Sequence, residues 1–353
     1  MTSQLSSDRL RDFAGDPRLY PYSLDLAGRR VLLLDLPLEA MEEASFLDER
    51  VLQSRPSGGW TGEDGFLALA MQAREPGEGL GFIFHMGHCG STLLARLLGH
   101  RGDGFALKEP LPLRELAEAA LDLGTAWDAT GRERFGVIVQ ALVRSWARRP
   151  EGVERVIVKA TSLTSGLAPD LMSAAPQSRA LVLRLRLEPY LATLLAPQPL
   201  SGDLTAGARV RFRRLASAAG DPGWRLHALS PGELAAATWI AEAASLAALI
   251  EAEPARTLAL DFEDFLAEPA ARLLDAARHV GLGWDEAAAG AAAGSGIMHR
   301  YAKAPEHGFG PQERARVLAD SRTRNDAEIA KGQAFAEEAL GRLPRLSGLR
   351  DWL

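Results

Sequence analysis

The sequence predicts an α/β domain of three layers, α/β/α, with a parallel sheet at its centre. Two observations lead there. Short apolar runs at 81–84, 104–108, 155–159, 180–185 and 257–261 alternate with longer stretches of helical spacing, the order that βαβ crossovers produce. Those runs are almost continuously apolar, as in strands covered on both faces, and do not alternate as they would with one wet face. Composition agrees: 353 residues, 47% of them hydrophobic and 24% charged, suit one large or two ordinary globular domains rather than a disordered chain.

The elements follow in order. Residues 1–76 read as an N-terminal extension holding a hairpin around RRVLLLDLPL, then a Pro/Gly-rich tract (SRPSGGWTGEDG) and a helical piece near 67–73. The turn cluster REPGEGLG separates this extension from the main domain, 77–353. Within that domain Ser230-Pro231-Gly232-Glu233 forms a capping box with proline at the first helical position, opening a long helix toward Ala252. Gly310-Pro311 and Asn325-Asp326 open two more, and 286–296 reads as an alanine-rich helix leading into a glycine-rich loop. The arginines of ARVRFRRL (208–215) read as a solvated helix face.

Charge and cysteine content narrow the function classes. Forty basic against 46 acidic residues give a net charge of −6, which excludes a generally basic nucleic-acid binder. The single cysteine, Cys89, excludes an internal disulfide framework and a thiolate metal cluster. The start, MTSQLSSDRL, lacks a signal-peptide pattern, and acidic residues interrupt the apolar stretch near Ala235. A cytoplasmic protein with no membrane partner is the expectation; oligomeric state is not readable. Lysine occurs only at Lys108, Lys159, Lys303 and Lys331, every other basic residue being arginine. Lysine is a compact point charge suited to one phosphate or sulfate oxygen, so each of the four invites a question.

The sharpest segment is GFIFHMGHCGSTLLARLLG, 81–99. An apolar strand runs into a turn with Gly87 and Gly90, and Ser91 and Thr92 begin a helix studded with leucines. A helix start leaves backbone N–H groups unpaired and carries partial positive charge, so this arrangement is a cradle for an anion. It meets the nucleotide-binding pattern G-x-x-x-x-G-K-[ST] only in part. With its second glycine on Gly90, His85 stands at the first glycine, Ser91 at the lysine and Thr92 at the hydroxyl.

His-Cys-Gly-Ser-Thr-Leu-Leu (88–94) resembles instead the loop of the P-loop sulfotransferases, whose fold is P-loop NTPase-like. Later segments resemble that family in the same order: LKEP (107–110), VIVKATS (156–162), LVLRLRLEPYLATLL (181–195) and LALDFEDFLAEP (258–269). The resemblance spans roughly 81–281. It implies 3′-phosphoadenosine 5′-phosphosulfate as donor, held by Gly87, His88, Cys89, Gly90, Ser91 and Thr92, with no metal required. It implies Arg184 and Arg186, two apart on a strand, at the 3′-phosphate with Thr193 assisting, and Arg211 or Arg214 as further reach. Glu109 would be the base that deprotonates a hydroxyl or amine acceptor, with Lys159 and His88 offsetting charge on the bridging oxygen. HRYAKAPEHGFG (299–310), with Lys303, resembles a late basic loop that closes over donor. The chain departs from the family in having His88 for the usual loop lysine or arginine, and in its arginine-to-hydroxyl spacing. Two rivals remain: a kinase or NTPase with Thr92 on Mg²⁺ and Asp261 as a second metal-side carboxylate, and a non-catalytic nucleotide-binding protein.

Overall fold

The computed structural model describes residues 7–196, 201–300 and 310–353. The N-terminal part folds β1 (Leu19–Asp25), β2 (Arg30–Asp35) and β3 (Ser57–Gly62) into an antiparallel sheet in that order. The expected hairpin is β1–β2. The third strand was not expected, because a Pro/Gly-rich tract argues against one. Its glycines serve close approach: a Cβ on Gly58 would lie 2.6 Å from the Leu33 carbonyl oxygen and 2.4 Å from a Leu34 methyl, so β3 packs on β2 only without a side chain there.

The central sheet contains β4 (Leu80–His85), β5 (Gly104–Lys108), β6 (Arg155–Lys159), β7 (Arg179–Arg184) and β8 (Thr257–Asp261), all parallel, in the order β5-β6-β4-β7-β8. Each expected run is a strand to within a residue or two. The step from β4 to β5 moves one way across the sheet and the next three steps move the other way. Right-handed crossovers therefore put the helix Ser91–Leu98 on one face and the helices of the other three connections on the opposite face. The fold is three-layered, and its switch point flanks the carboxyl end of β4, where sheets of this kind open a crevice for ligands.

The capping box at Ser230 forms as expected: its hydroxyl accepts the Glu233 N–H, and the Glu233 carboxylate accepts the Ser230 N–H. The helix that it opens, Pro231–Ala252, contains an 18-residue window with a mean hydropathy of 1.4 and, among the described residues, is the one helix long and apolar enough to cross a membrane. Trp239, Ile240 and Leu246 on it are fully buried in the core.

That helix corrects the reading of ARVRFRRL. Arg211 and Arg214, on Ser201–Ala219, are buried against Glu242 of Pro231–Ala252, at 2.7 and 3.1 Å. Two guanidiniums fork around one carboxylate, which permits their burial. Arg214 also donates to the carbonyls of Ser162 and Leu163, just past β6. Both arginines thus hold helices together, and Arg214 also ties down a turn. Arg213, by contrast, is exposed and pairs with Asp122 at 2.6 Å.

Candidate functional site

β4 delivers the chain to the loop through its own hydrogen bonds: the Met86 N–H reaches the Leu183 carbonyl at 3.2 Å. The turn then uses the left-handed region twice, at His88 (φ +64°) and Gly90 (φ +74°). A Cβ on Gly90 would lie 2.0 Å from the ring of Phe262, so glycine is required there for space as well as for dihedral. Gly90 is the N-cap of Ser91–Leu98 and has no side chain with which to cap the first turn. The first hydrogen bond within the helix is Leu94 N–H to Gly90 oxygen, 3.0 Å, so the amides of Ser91, Thr92 and Leu93 point out of the helix end. Ser91 and Thr92 are buried, and Thr92 Oγ1 has no hydrogen-bond partner among the described residues. An uncapped helix start beside an orphaned hydroxyl fits an oxyanion ligand. His88 is half-buried in the turn. Cys89 is fully buried, its thiol donating to the Met86 carbonyl at 2.8 Å, which is a packing role.

On the next two strands, β6 and β5, stand the groups expected to be catalytic. Lys159, at the end of β6, is fully buried, and its ammonium lies 2.5 Å from Glu109 Oε1. Glu109 follows β5 in the left-handed region (φ +55°), and its N–H donates to the Lys159 carbonyl at 2.8 Å. Such a dihedral is unfavourable for a side-chain-bearing residue and persists only where the surroundings impose it. Here the two hydrogen-bonded contacts to Lys159 impose it. The second carboxylate oxygen faces Arg114 Nη2 at 3.4 Å. The ring of Phe46, from the N-terminal extension, lies 5.5 Å from the Lys159 ammonium and 4.0 Å from the Arg50 guanidinium. The Leu47 N–H meets the Lys108 carbonyl at 2.6 Å, strapping this segment across β5. The Lys108 ammonium points elsewhere: it donates to the Met41 and Glu42 carbonyls at 3.1 and 2.9 Å, and burial lowers its pKa to about 7. Lys108 and Glu109, though adjacent, thus turn to different surroundings.

The arginine element differs from the expectation of a converged pair. β7 ends at Arg184, and Arg186 is already the N-cap of the helix Leu187–Leu195, so the period of two stops between them. The Arg184 guanidinium stacks on Trp352, 4.5 Å from its centroid. Arg186, half-exposed, faces Asp261 and Asp264 at 3.9 Å each. Thr193 donates its one hydroxyl proton to the Pro189 carbonyl at 2.7 Å, within its own helix, so it has no donor left for an anion. Asp261 caps the helix Phe262–Ala267 through the Glu263 N–H, 2.9 Å. Lys303, with Tyr301 and His307, lies outside the described residues.

His85 completes the support beneath the loop. Its ring nitrogens lie 2.8 Å from the Met86 carbonyl and 2.7 Å from that of Ala160, joining β4 to the end of β6. Burial, reinforced by the Lys159 charge, lowers its pKa from 6.5 to about 3, so the ring is neutral and donates to one of the two carbonyls. The unfolded chain binds this proton near pH 6.5 and the folded chain only near pH 3. Stability should therefore fall as pH drops through that interval, by at most about 1.4 kcal/mol per unit from this group. Urea denaturation at pH 7 and pH 4.5 should show a smaller loss for His85→Gln than for the wild type; equal losses would remove His85 as a source of acid sensitivity.

Phe262, Arg114, Phe46 and Trp352 were not foreseen. Phe262 had a faint signal, since it follows the acidic end of β8 and sequence order alone fixes its position there. Arg114 lies five residues past Glu109, but the left-handed turn that brings the two together carries no sequence signal; Phe46 and Trp352 reach the site from elements remote in sequence.

The chain is similar to three solved sulfotransferase structures. One, from Alicyclobacillus acidocaldarius, is 15% identical over 71% of this chain and 95% of its own, with a TM-score of 0.36. The sulfotransferase domain from the curacin biosynthetic pathway is 15% identical over 69% of this chain and 83% of its own, TM-score 0.38. The third, from Mycobacterium tuberculosis H37Rv, is 16% identical over 93% of this chain and 99% of its own, TM-score 0.32. No family model matches the chain, and no curated protein matches it.

Proposed function

We propose that this chain transfers a sulfuryl group from 3′-phosphoadenosine 5′-phosphosulfate to a hydroxyl or amine acceptor. The observation that carries the reading is Lys159: a fully buried ammonium next to a loop that has no lysine or arginine of its own, paired with the Glu109 carboxylate just past the carboxyl end of β5. Burying such a charge is costly unless it is paired; Glu109 pairs it at rest, and a phosphosulfate leaving group is a second partner of the right sign.

In this reading the loop amides and the Ser91 and Thr92 hydroxyls hold the donor's 5′-phosphate. The acceptor oxygen or nitrogen attacks sulfur as the bond from sulfur to the bridging oxygen breaks, leaving its electron pair on the bisphosphate. The acceptor proton passes to Glu109. Protonation neutralises the carboxylate that holds Lys159, so the ammonium is released toward the leaving oxygen as charge develops there. His88 adds charge when protonated.

Titration calorimetry with adenosine 3′,5′-bisphosphate and with Mg-ATP tests the donor class. Binding of the bisphosphate with little or no response to Mg-ATP is expected; the reverse order would turn the reading into the kinase alternative. Glu109→Gln should keep the bisphosphate affinity while slowing release of the bisphosphate from the sulfated donor, in the presence of phenol and amine acceptors, by about 10²–10⁴-fold. Unchanged release would remove Glu109 as the base.

A further inference from the structure

Arg184 is placed unlike the other arginines of this face. It ends β7 in register with Asp261 of β8, one residue past Leu183, whose carbonyl accepts the N–H of the first loop residue. It therefore stands on the rim where the loop opens. Among the described residues it has no carboxylate within ion-pair distance, and its buried Nε has no hydrogen-bond partner. Its guanidinium lies against an aromatic face, that of Trp352.

The physics of that contact is directional. A guanidinium stacked on an indole spends its flat face, whereas its N–H groups radiate from the edge. Stacking leaves the charge uncompensated and the edge donors unspent, and it fixes the plane in which they point. An ion pair would have done the opposite. Trp352 is itself held: it closes the turn Pro344–Trp352, whose Leu346 and Leu349 are buried in the core.

Resting on the donor reading above, we propose that Trp352 is a positioning residue for Arg184, and that the C-terminal turn thereby forms one wall of a second phosphate subsite, the one that takes the nucleotide's 3′-phosphate. Arg184 bonds the anion through its edge. Trp352 orders the guanidinium beforehand, so less side-chain entropy is lost on binding.

The test is calorimetry on the full chain with two probes, adenosine 3′,5′-bisphosphate and adenosine 5′-monophosphate. Trp352→Ala and Arg184→Ala should each weaken the bisphosphate by about tenfold, the scale of a partly desolvated cation–π contact, and change the monophosphate by less than about twofold. Trp352→Phe should restore most of the loss, and the double variant should bind no more weakly than Arg184→Ala alone. Loss with Arg184→Ala but not with Trp352→Ala would overturn the positioning role and leave the donor reading standing. Equal losses for both nucleotides in Trp352→Ala would make the turn a general support of the fold, and the proposal would fall. A wild type that binds neither probe would sink the donor reading and this inference together.

Discussion

Replacing Lys159 with methionine is expected to cost the fold about 3–5 kcal/mol, because it leaves the Glu109 carboxylate buried against a missing cation. Lys159 is fully buried and Glu109 nearly so, at 2.5 Å, so solvent screens little of the pair. Arg114, at 3.4 Å, holds the other carboxylate oxygen and offsets part of the loss. The double variant Lys159→Met/Glu109→Leu should recover most of the stability, since removing both charges removes the uncompensated one. It should not recover transfer. Urea denaturation of the two single variants and the double measures the coupling directly. Additive losses would show that the two groups do not depend on each other, and the mechanism in which protonation of Glu109 releases Lys159 would go with that dependence.

Gly90→Ala carries the second large effect. The added methyl would need a φ of +74° and would overlap the Phe262 ring, with contacts of 2.0 to 2.6 Å to three ring carbons. Dihedral strain and overpacking together should cost about 2–4 kcal/mol, and the loop must shift to accommodate the change. Bisphosphate binding should be lost with it. Gly90→Ala/Phe262→Ala should regain part of the stability, since it removes the obstacle but not the dihedral strain. Thermal denaturation and calorimetry on both variants check this. An unaltered melting temperature and affinity in Gly90→Ala would mean that the turn yields freely, which is incompatible with a preformed anion cradle.

How legible the site was depended on the range of the interaction. The loop and its helix could be read because strand, turn and helix start follow one another within 81–99, and local chemistry decides each. Glu109 and Lys159 were legible as residues at strand ends, but their pairing was not. It needs β5 and β6 to be neighbours and Glu109 to take a left-handed dihedral that no local pattern signals. Arg184 and Arg186 were misread as one face because the strand was assumed to continue; it stops at Arg184, and capping geometry takes over. ARVRFRRL was misread because an arginine-rich helix is usually wet, and nothing nearby in sequence reveals the Glu242 carboxylate that draws two of its members inward.

By itself, then, the chain determined its five core strands, the cap at Ser230 and the glycine turn before Ser91, because apolar periodicity, capping and dihedral preference act over a few residues. Tertiary structure alone decided which charges meet: Lys159 with Glu109, Arg211 and Arg214 with Glu242, Arg184 with Trp352. Electrostatic and stacking contacts depend on distances of a few ångströms between segments up to 168 residues apart, and only the packed sheet and its covering helices set those distances.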